Sequence, residues 1–248
     1  MVFIDIHSHI DFYNDSQIKK IIKNAQDSSV EIIMNNGVNI ASNRKITDML
    51  KKYPIIKAAL GIYPIDALKL TENEINSEID FIRKNKEIIS AIGEVGLDFK
   101  ESKEEERQKE NFQKFINLSK ELGIPIIVHS RKAESLCIKM LENSAAKKVI
   151  MHCFCGNISL VKKIISNCWF LSIPASVTFT EHFQNVIKLC PTEQLFCETD
   201  SPYLHPFKQK NNEPKFVVEV YKKIAEIKSM PLKEVEEVIY NNYKNIFN

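Results

Sequence analysis

Six ionisable residues of this chain have the types and settings for metal chemistry: His7, His9, Glu94, His129, His152 and Asp200. The first two close an apolar run, Phe3-Ile4-Asp5-Ile6-His7-Ser8-His9. On a strand successive side chains alternate faces, so these two imidazoles point the same way. Paired imidazoles with acids nearby suit a divalent cation. The other four follow short apolar runs of the same kind. Glu94 comes after Ile88–Ile92, His129 after Ile126–Val128, His152 after Lys148–Met151 and Asp200 after Gln194–Glu198. The chain has 6 histidines, and four of them belong to this set.

The elements that must position these residues alternate strictly. Strands are predicted at Phe3–His9, Glu31–Asn36, Ile56–Ile62, Ile88–Ile92, Ile126–Val128, Lys148–Met151, Trp169–Ile173 and Gln194–Glu198. Between them lie segments of helical period. The first carries Ile18, Ile21, Ile22 and Ala25, with Ser16 as its expected N-cap. Others run over Ser42–Lys52, from a capping box at Thr71-Glu72-Asn73-Glu74, and over Lys103–Leu122 up to Gly123. Ala133–Ala145, Ser159–Ser166 and Glu181–Leu189 follow, and Pro214–Lys228 and Leu232–Asn245 close the chain. Short apolar runs without period-two alternation indicate parallel strands buried on both faces. Eight strand–helix units in 248 residues predict an α/β chain folded as one (β/α)8 TIM barrel over residues 1–248.

In that fold the C-terminal strand ends converge on one mouth. Buried charges are costly unless paired or bound to metal. Six candidate ligands exceed the three of a usual open zinc site. They suit two divalent ions sharing a carboxylate. Glu94, on a middle strand, is the expected bridge. His7, His9 and Asp200 are assigned to one ion, and His129 and His152 to the other.

Composition narrows the class. Hydrophobic residues make up 44% of the chain, enough for a large core. The net charge is +2 with a pI near 8.1, so any nucleic-acid contact must be a local patch. The 6 cysteines form no C-x-x-C pair, and Cys153 and Cys155 read as packing residues. With no signal segment before Asp5 and no membrane-length apolar run, a cytoplasmic protein with reduced thiols is expected, without a membrane partner.

Several motifs resemble those of the TatD family of metal-dependent deoxyribonucleases, within the amidohydrolase-like barrels. They are Asp5-Ile6-His7-Ser8-His9, Gly93-Glu94-Val95-Gly96-Leu97-Asp98, Pro125 to Arg131, His152-Cys153-Phe154-x-Gly156, Glu198 to Leu204, Asn212-Glu213-Pro214 and Arg107-Gln108. The resemblance covers essentially the whole chain. It implies the same ligand set with Glu94 bridging, and hydrolysis of DNA phosphodiester bonds, often as a 3′→5′ exonuclease. The implied cofactors are two divalent ions, Mg, Mn or Zn, and the implied partner is a DNA substrate, met by a monomer or weak oligomer.

On that footing Glu94 and Asp200 are the expected catalytic residues, Asp200 being both ligand and proton acceptor. Arg131 reads either as a phosphate contact or as a helix-start residue paired with an acid. Phe154 reads either as a platform for a base or as packing at the mouth. Two substrate contacts depart from the family's usual pattern. Tyr63 stands in Gly61-Ile62-Tyr63-Pro64, where histidine is usual, and Lys208-Gln209-Lys210-Asn211 replaces a richer basic loop. His205 is a further candidate for a substrate phosphate, and His182 reads as a surface residue. These departures keep a second substrate open, another ester or amide such as a D-aminoacyl-tRNA. A silent binding scaffold is a third reading, opposed by the complete ligand set.

Overall fold

Parallel pairing of the apolar runs in chain order builds the frame. The computed structural model describes residues 2–247. Its first half comprises β1 (Phe3–Ser8), α1 (Asp15–Asp27), β2 (Val30–Asn36), α2 (Ile40–Leu50), β3 (Ile56–Leu60), α3 (Pro64–Ala67), α4 (Glu72–Lys84), β4 (Ala91–Asp98) and α5 (Glu105–Leu122). The second half comprises β5 (Ile126–Arg131), α6 (Glu134–Asn143), β6 (Val149–Met151), α7 (Ile158–Ser166), β7 (Phe170–Pro174), α8 (Glu181–Leu189), β8 (Leu195–Glu198), α9 (Val217–Lys228) and α10 (Leu232–Phe247). The strands form one parallel sheet in the order β1 to β8, and β1 meets β8 again. This is the predicted eight-stranded α/β barrel.

The helices dock by apolar stripes. α1 buries Ile18, Ile21, Ile22 and Ala25 at helical spacing. Full burial of one such aliphatic side chain contributes about 1.5–3 kcal/mol. The cap of α1 differs from expectation. Asn14, not Ser16, accepts the Gln17 N–H at 3.0 Å, and the Asn14 N–H donates to the Gln17 side chain at 3.1 Å. Gln offers the reciprocal partner only at the third position after Asn14, which selects that residue as the cap. The Thr71–Glu74 capping box and the left-handed Gly123 stop of α5 are as predicted.

The largest departure concerns the middle strands. β4 runs on through Gly93–Asp98, and β5 through His129–Arg131. Gly96 is paired with His129, and a Cβ on Gly96 would lie 1.9 Å from the His129 carbonyl oxygen. Its φ of +147° is also rarely open to other residues. Here glycine marks a close strand crossing rather than a strand end. Glu94 and His129 therefore stand on the strands themselves.

Closure between β1 and β8 relies on few backbone bonds. The His9 N–H donates to Ser201 O at 2.7 Å, and the Asp200 N–H donates to His7 O at 2.9 Å. Lower in the seam, buried Asp5 accepts from the Thr199 backbone N–H at 2.9 Å and from its hydroxyl at 2.5 Å. Lower still, the hydroxyl of buried Tyr221 on α9 accepts from the Ile4 N–H at 3.0 Å and donates to the Ile4 carbonyl at 3.3 Å. One side chain thus satisfies both backbone groups that an ordinary ladder would pair. Tyr221→Phe is expected to destabilise the fold by about 1–3 kcal/mol, because those two groups lose their buried partner. Urea unfolding checks this; an unchanged midpoint would show that the seam does not need the hydroxyl.

Candidate metal centre

Five strands bring the six predicted residues to one point. Glu94 projects from the middle of β4 and is 4% exposed. Its Oε2 lies 3.4 Å from His7 Nε2 and 3.3 Å from His9 Nε2. Its Oε1 lies 2.9 Å from His129 Nδ1 and 3.7 Å from His152 Nε2. Each oxygen therefore serves one imidazole pair. Asp200 Oδ1 completes the first side, 3.8 Å from His7 Nε2 and 3.5 Å from His9 Nε2. The His7 and His152 rings stack, with centroids 3.6 Å apart.

Three of the imidazoles are steered from behind. His9 Nδ1 lies 2.9 Å from the Asn36 carbonyl, so it donates there and its Nε2 lone pair faces inward. His152 Nδ1 lies 3.0 and 3.1 Å from the two oxygens of Glu198, a buried acid on β8 that also accepts from Ser172. His129 Nε2 lies 3.4 Å from Asp98 Oδ2. Asp98 in turn accepts from the Tyr63 hydroxyl at 2.6 Å and from the Lys100 and Glu101 N–H groups at 3.0 Å. Metal-ligating histidines are commonly oriented by such carboxylates and carbonyls.

The donor set fits divalent cations. His7 Nε2 and His9 Nε2 face each other at 3.1 Å with both rings buried. Two inward lone pairs at that separation repel unless a proton or a cation lies between them. The His7, His9 and Asp200 donor atoms fall within 4.8 Å of one another, as do those of His7, Glu94 and His152. Nitrogen and carboxylate oxygen together suit zinc and manganese better than calcium.

The family model for TatD related DNase matches residues 4–248. This chain belongs to the TatD family. It is 34% identical to the uncharacterized metal-dependent hydrolase YabD of Bacillus subtilis, covering 99% of each chain. It is 31% identical to the human deoxyribonuclease TATDN3, covering 98% of this chain and 94% of that protein. The crystal structure of YjjV, a TatD homolog from Escherichia coli, superposes with a TM-score of 0.93 at 23% identity, covering 99% of this chain and 98% of that one. The chain is thus a TatD-type metal-dependent hydrolase on the family's barrel.

Above the ligand cluster opens a cavity of about 580 Å³, within the usual range of small-ligand sites. The structure sorts the predicted substrate contacts of this TatD chain around it. Tyr63 and Arg131 line the cavity, and Arg131 Nη1 also pairs with Glu101 at 3.1 Å and lies 3.7 Å from Asp98. Phe154 does not serve as a platform: it is 1% exposed, and its ring lies where a Cβ on Gly156 would come within 2.4 Å. His205 is also turned away. It is 6% exposed, packs on Phe216 with centroids 4.6 Å apart, and its Nδ1 accepts the Phe207 N–H at 3.1 Å. His182 is not a plain surface residue, since its ring lies 3.0 Å from the Phe154 carbonyl. Cys153 packs against the core as expected and also lines the cavity, whereas Cys155 lines the cavity from an exposed position.

Four other residues, to which the sequence alone assigns no role, enter the site. Glu198 and Asp98 steer histidines; an acid at the end of an apolar run was the available signal. Phe12 and Tyr203 stand at the mouth, 46% and 56% exposed. Phe12 lies outside every motif, and Tyr203 lies inside the Glu198 to Leu204 motif.

The electrostatics follow from burial opposed by pairing. Burial alone raises the pKa of Glu94, but hydrogen bonds from His129, His7 and His9 hold it well below the usual carboxylate range. Burial likewise opposes ionised Asp200, and the hydrogen bond from His9 with three nearby imidazoles brings it below its ordinary value. His7 goes down, through burial and the neighbouring His152. His152 goes up to about 9, because Glu198 outweighs the burial that would lower it.

The His152–Glu198 pair gives a pH signature in chelator-treated protein. A histidine raised on folding contributes stability that is complete below its unfolded value of 6.5 and is lost as pH rises through about 9. Glu198→Gln removes the charge that raises it. The stability advantage of wild type over Glu198→Gln is expected to shrink by about 3 kcal/mol between pH 6 and pH 10. Chemical unfolding across that range measures it, and a constant difference would mean that Glu198 does not hold a charged imidazole.

Proposed function

We propose that this chain is a two-metal phosphodiesterase that shortens DNA from the 3′ end. The observation that carries the reading is the division of the Glu94 carboxylate: Oε2 towards His7 and His9, Oε1 towards His129 and His152. One buried carboxylate between two imidazole pairs is the arrangement that a bridging ligand requires. His7, His9 and Asp200 would hold one ion, and His129 and His152 the other. When bound, the two ions supply Lewis-acid polarisation of the phosphate and a nucleophile from water at neutral pH. The deoxyribonuclease named among the relatives supports DNA as substrate.

The chain's own groups do the rest. Asp200 faces the cavity with its side chain 15% exposed, against 5% for Glu94 on the same cavity wall. It is kept ionised and so able to accept a proton from the attacking water. Its left-handed φ of 52° and the Asp200 N–H bond to His7 O hold the carboxylate beside the two imidazoles. Arg131, on the cavity wall, offers its remaining N–H groups to a substrate phosphate. Tyr63 is occupied in donating to Asp98, so it acts by fixing the His129 side of the site.

Single- and double-stranded DNA labelled at either end, with Mg, Mn or Zn supplied, tests the reading. Stepwise loss from the 3′ end is expected. Glu94→Ala and His129→Ala should reduce the rate at least about 1,000-fold, and Asp200→Asn about 100- to 10,000-fold. Metal analysis should find two ions per wild-type chain and fewer in Glu94→Ala. Full activity with a single ion would exclude the shared-carboxylate mechanism. Internal cuts would exclude the exonuclease. Hydrolysis of an aminoacyl ester without any DNA cleavage would move the substrate to that class.

A further inference from the structure

We infer that Phe12 and Tyr203 form a nucleobase-gripping edge on the β1/β8 side of the metal centre, on which a base next to the scissile bond stacks. This inference rests on the phosphodiesterase reading and specifies how that site holds its substrate.

The two aromatics arise in the same way. Each stands three residues after a residue of the ligand cluster, in a turn closed by its own N–H. Phe12 N–H donates to His9 O at 3.2 Å, and Tyr203 N–H donates to Asp200 O at 2.8 Å. A second bond fixes Tyr203 from behind, from the Asn212 side chain to its carbonyl at 2.7 Å. The rings are thereby set at the cavity wall above His9 and Asp200. Phe12 lies flat on the His9 ring, with centroids 5.2 Å apart and planes 11° apart. One face is covered by the imidazole, yet the residue is 46% exposed. Tyr203 is 56% exposed. Two large rings left open at the rim of the cavity offer flat apolar faces that a planar heterocycle can cover.

The opposite wall has different chemistry. Arg131 lies on β5, across the ring from the β1/β8 seam. A nucleotide has both halves: a flat base for the aromatic edge and an anionic backbone for the guanidinium and the centre between them. Inside a strand the base faces are covered by their stacked neighbours, so the aromatic edge can reach one most readily at a chain end. Stacking of one base on an aromatic side chain tolerates any sequence and is lost when the base is absent.

The test pairs side-chain and base removal. Wild type, Phe12→Leu, Phe12→Tyr and Tyr203→Leu are compared on single-stranded oligonucleotides. These carry either normal 3′-terminal nucleotides or abasic tetrahydrofuran residues at the last two positions. Binding is measured by fluorescence anisotropy, and cleavage in parallel, with metal content determined for each variant. Phe12→Leu and Tyr203→Leu are expected to weaken binding and lower kcat/KM about 10-fold or more on the normal oligonucleotide. On the abasic one their deficit should disappear, and Phe12→Tyr should keep wild-type behaviour. An equal loss on both oligonucleotides would overturn the inference, as would no loss at all. A loss that tracks reduced metal content would also overturn it, since Phe12 would then merely brace His9. If wild type cleaves neither oligonucleotide, the phosphodiesterase reading fails. The binding contrast then decides the aromatic edge alone: a base-dependent loss in the variants sustains it, and its absence refutes it.

Discussion

One buried carboxylate governs this molecule. Glu94 is held ionised at the centre of a barrel whose buried strands are mostly apolar. An unpaired anion there would cost several kcal/mol. The fold answers with inward imidazoles from β1, β5 and the end of β6, those of His7, His9 and His129 within 3.4 Å of the carboxylate and that of His152 at 3.7 Å. Barrel geometry makes this possible, because parallel strands deliver all their C-terminal ends to one mouth. The seam between β1 and β8 is the sensitive joint. His7, His9 and Asp200 sit on it, and the backbone bonds that close it join those same residues. Closing the barrel and assembling that half of the site are therefore one event.

The imidazoles need a second layer of support. Glu198 and Asp98 are acids buried for this purpose, and each is itself saturated by further donors. Such chains of hydrogen bonds fix ring orientation at the cost of burying more charge. The layer also links the catalytic centre to the cavity wall. Tyr63 and Arg131 both reach Asp98, so groups that face substrate share a carboxylate with the group that faces His129.

The sequence was most legible where a residue's strand determined its place. Eight apolar runs in alternation with helices specify the barrel, and the barrel then brings His7, His9, Glu94, His129, His152 and Asp200 together. Legibility failed where one backbone angle redirected the chain. Phe154 is two residues after His152 and would share its face on a continuing strand. Cys153 adopts a φ of 42°, which breaks the alternation and sends the ring inward. Leu204, at φ 53°, similarly precedes the inward-facing His205. No periodicity reports such a turn, because few non-glycine residues adopt it and their types do not announce it. Glycine misled in the opposite sense: in β4 it permits strands to touch, whereas composition suggests a loop.

Charge distribution constrains how such a centre can hold a polyanion. The chain carries a net charge of +2, too little for a long-range field to gather nucleic acid. Arg131 is already paired with Glu101 and lies close to Asp98. Sliding along a duplex needs many weak phosphate contacts, and this cavity wall offers few cations to make them. On the reading proposed above, recognition would then be short-ranged, made within the cavity by the cluster and the rings at its rim. Under the exonuclease reading proposed above, it is a chain end that would enter the cavity of about 580 Å³ beside the cluster.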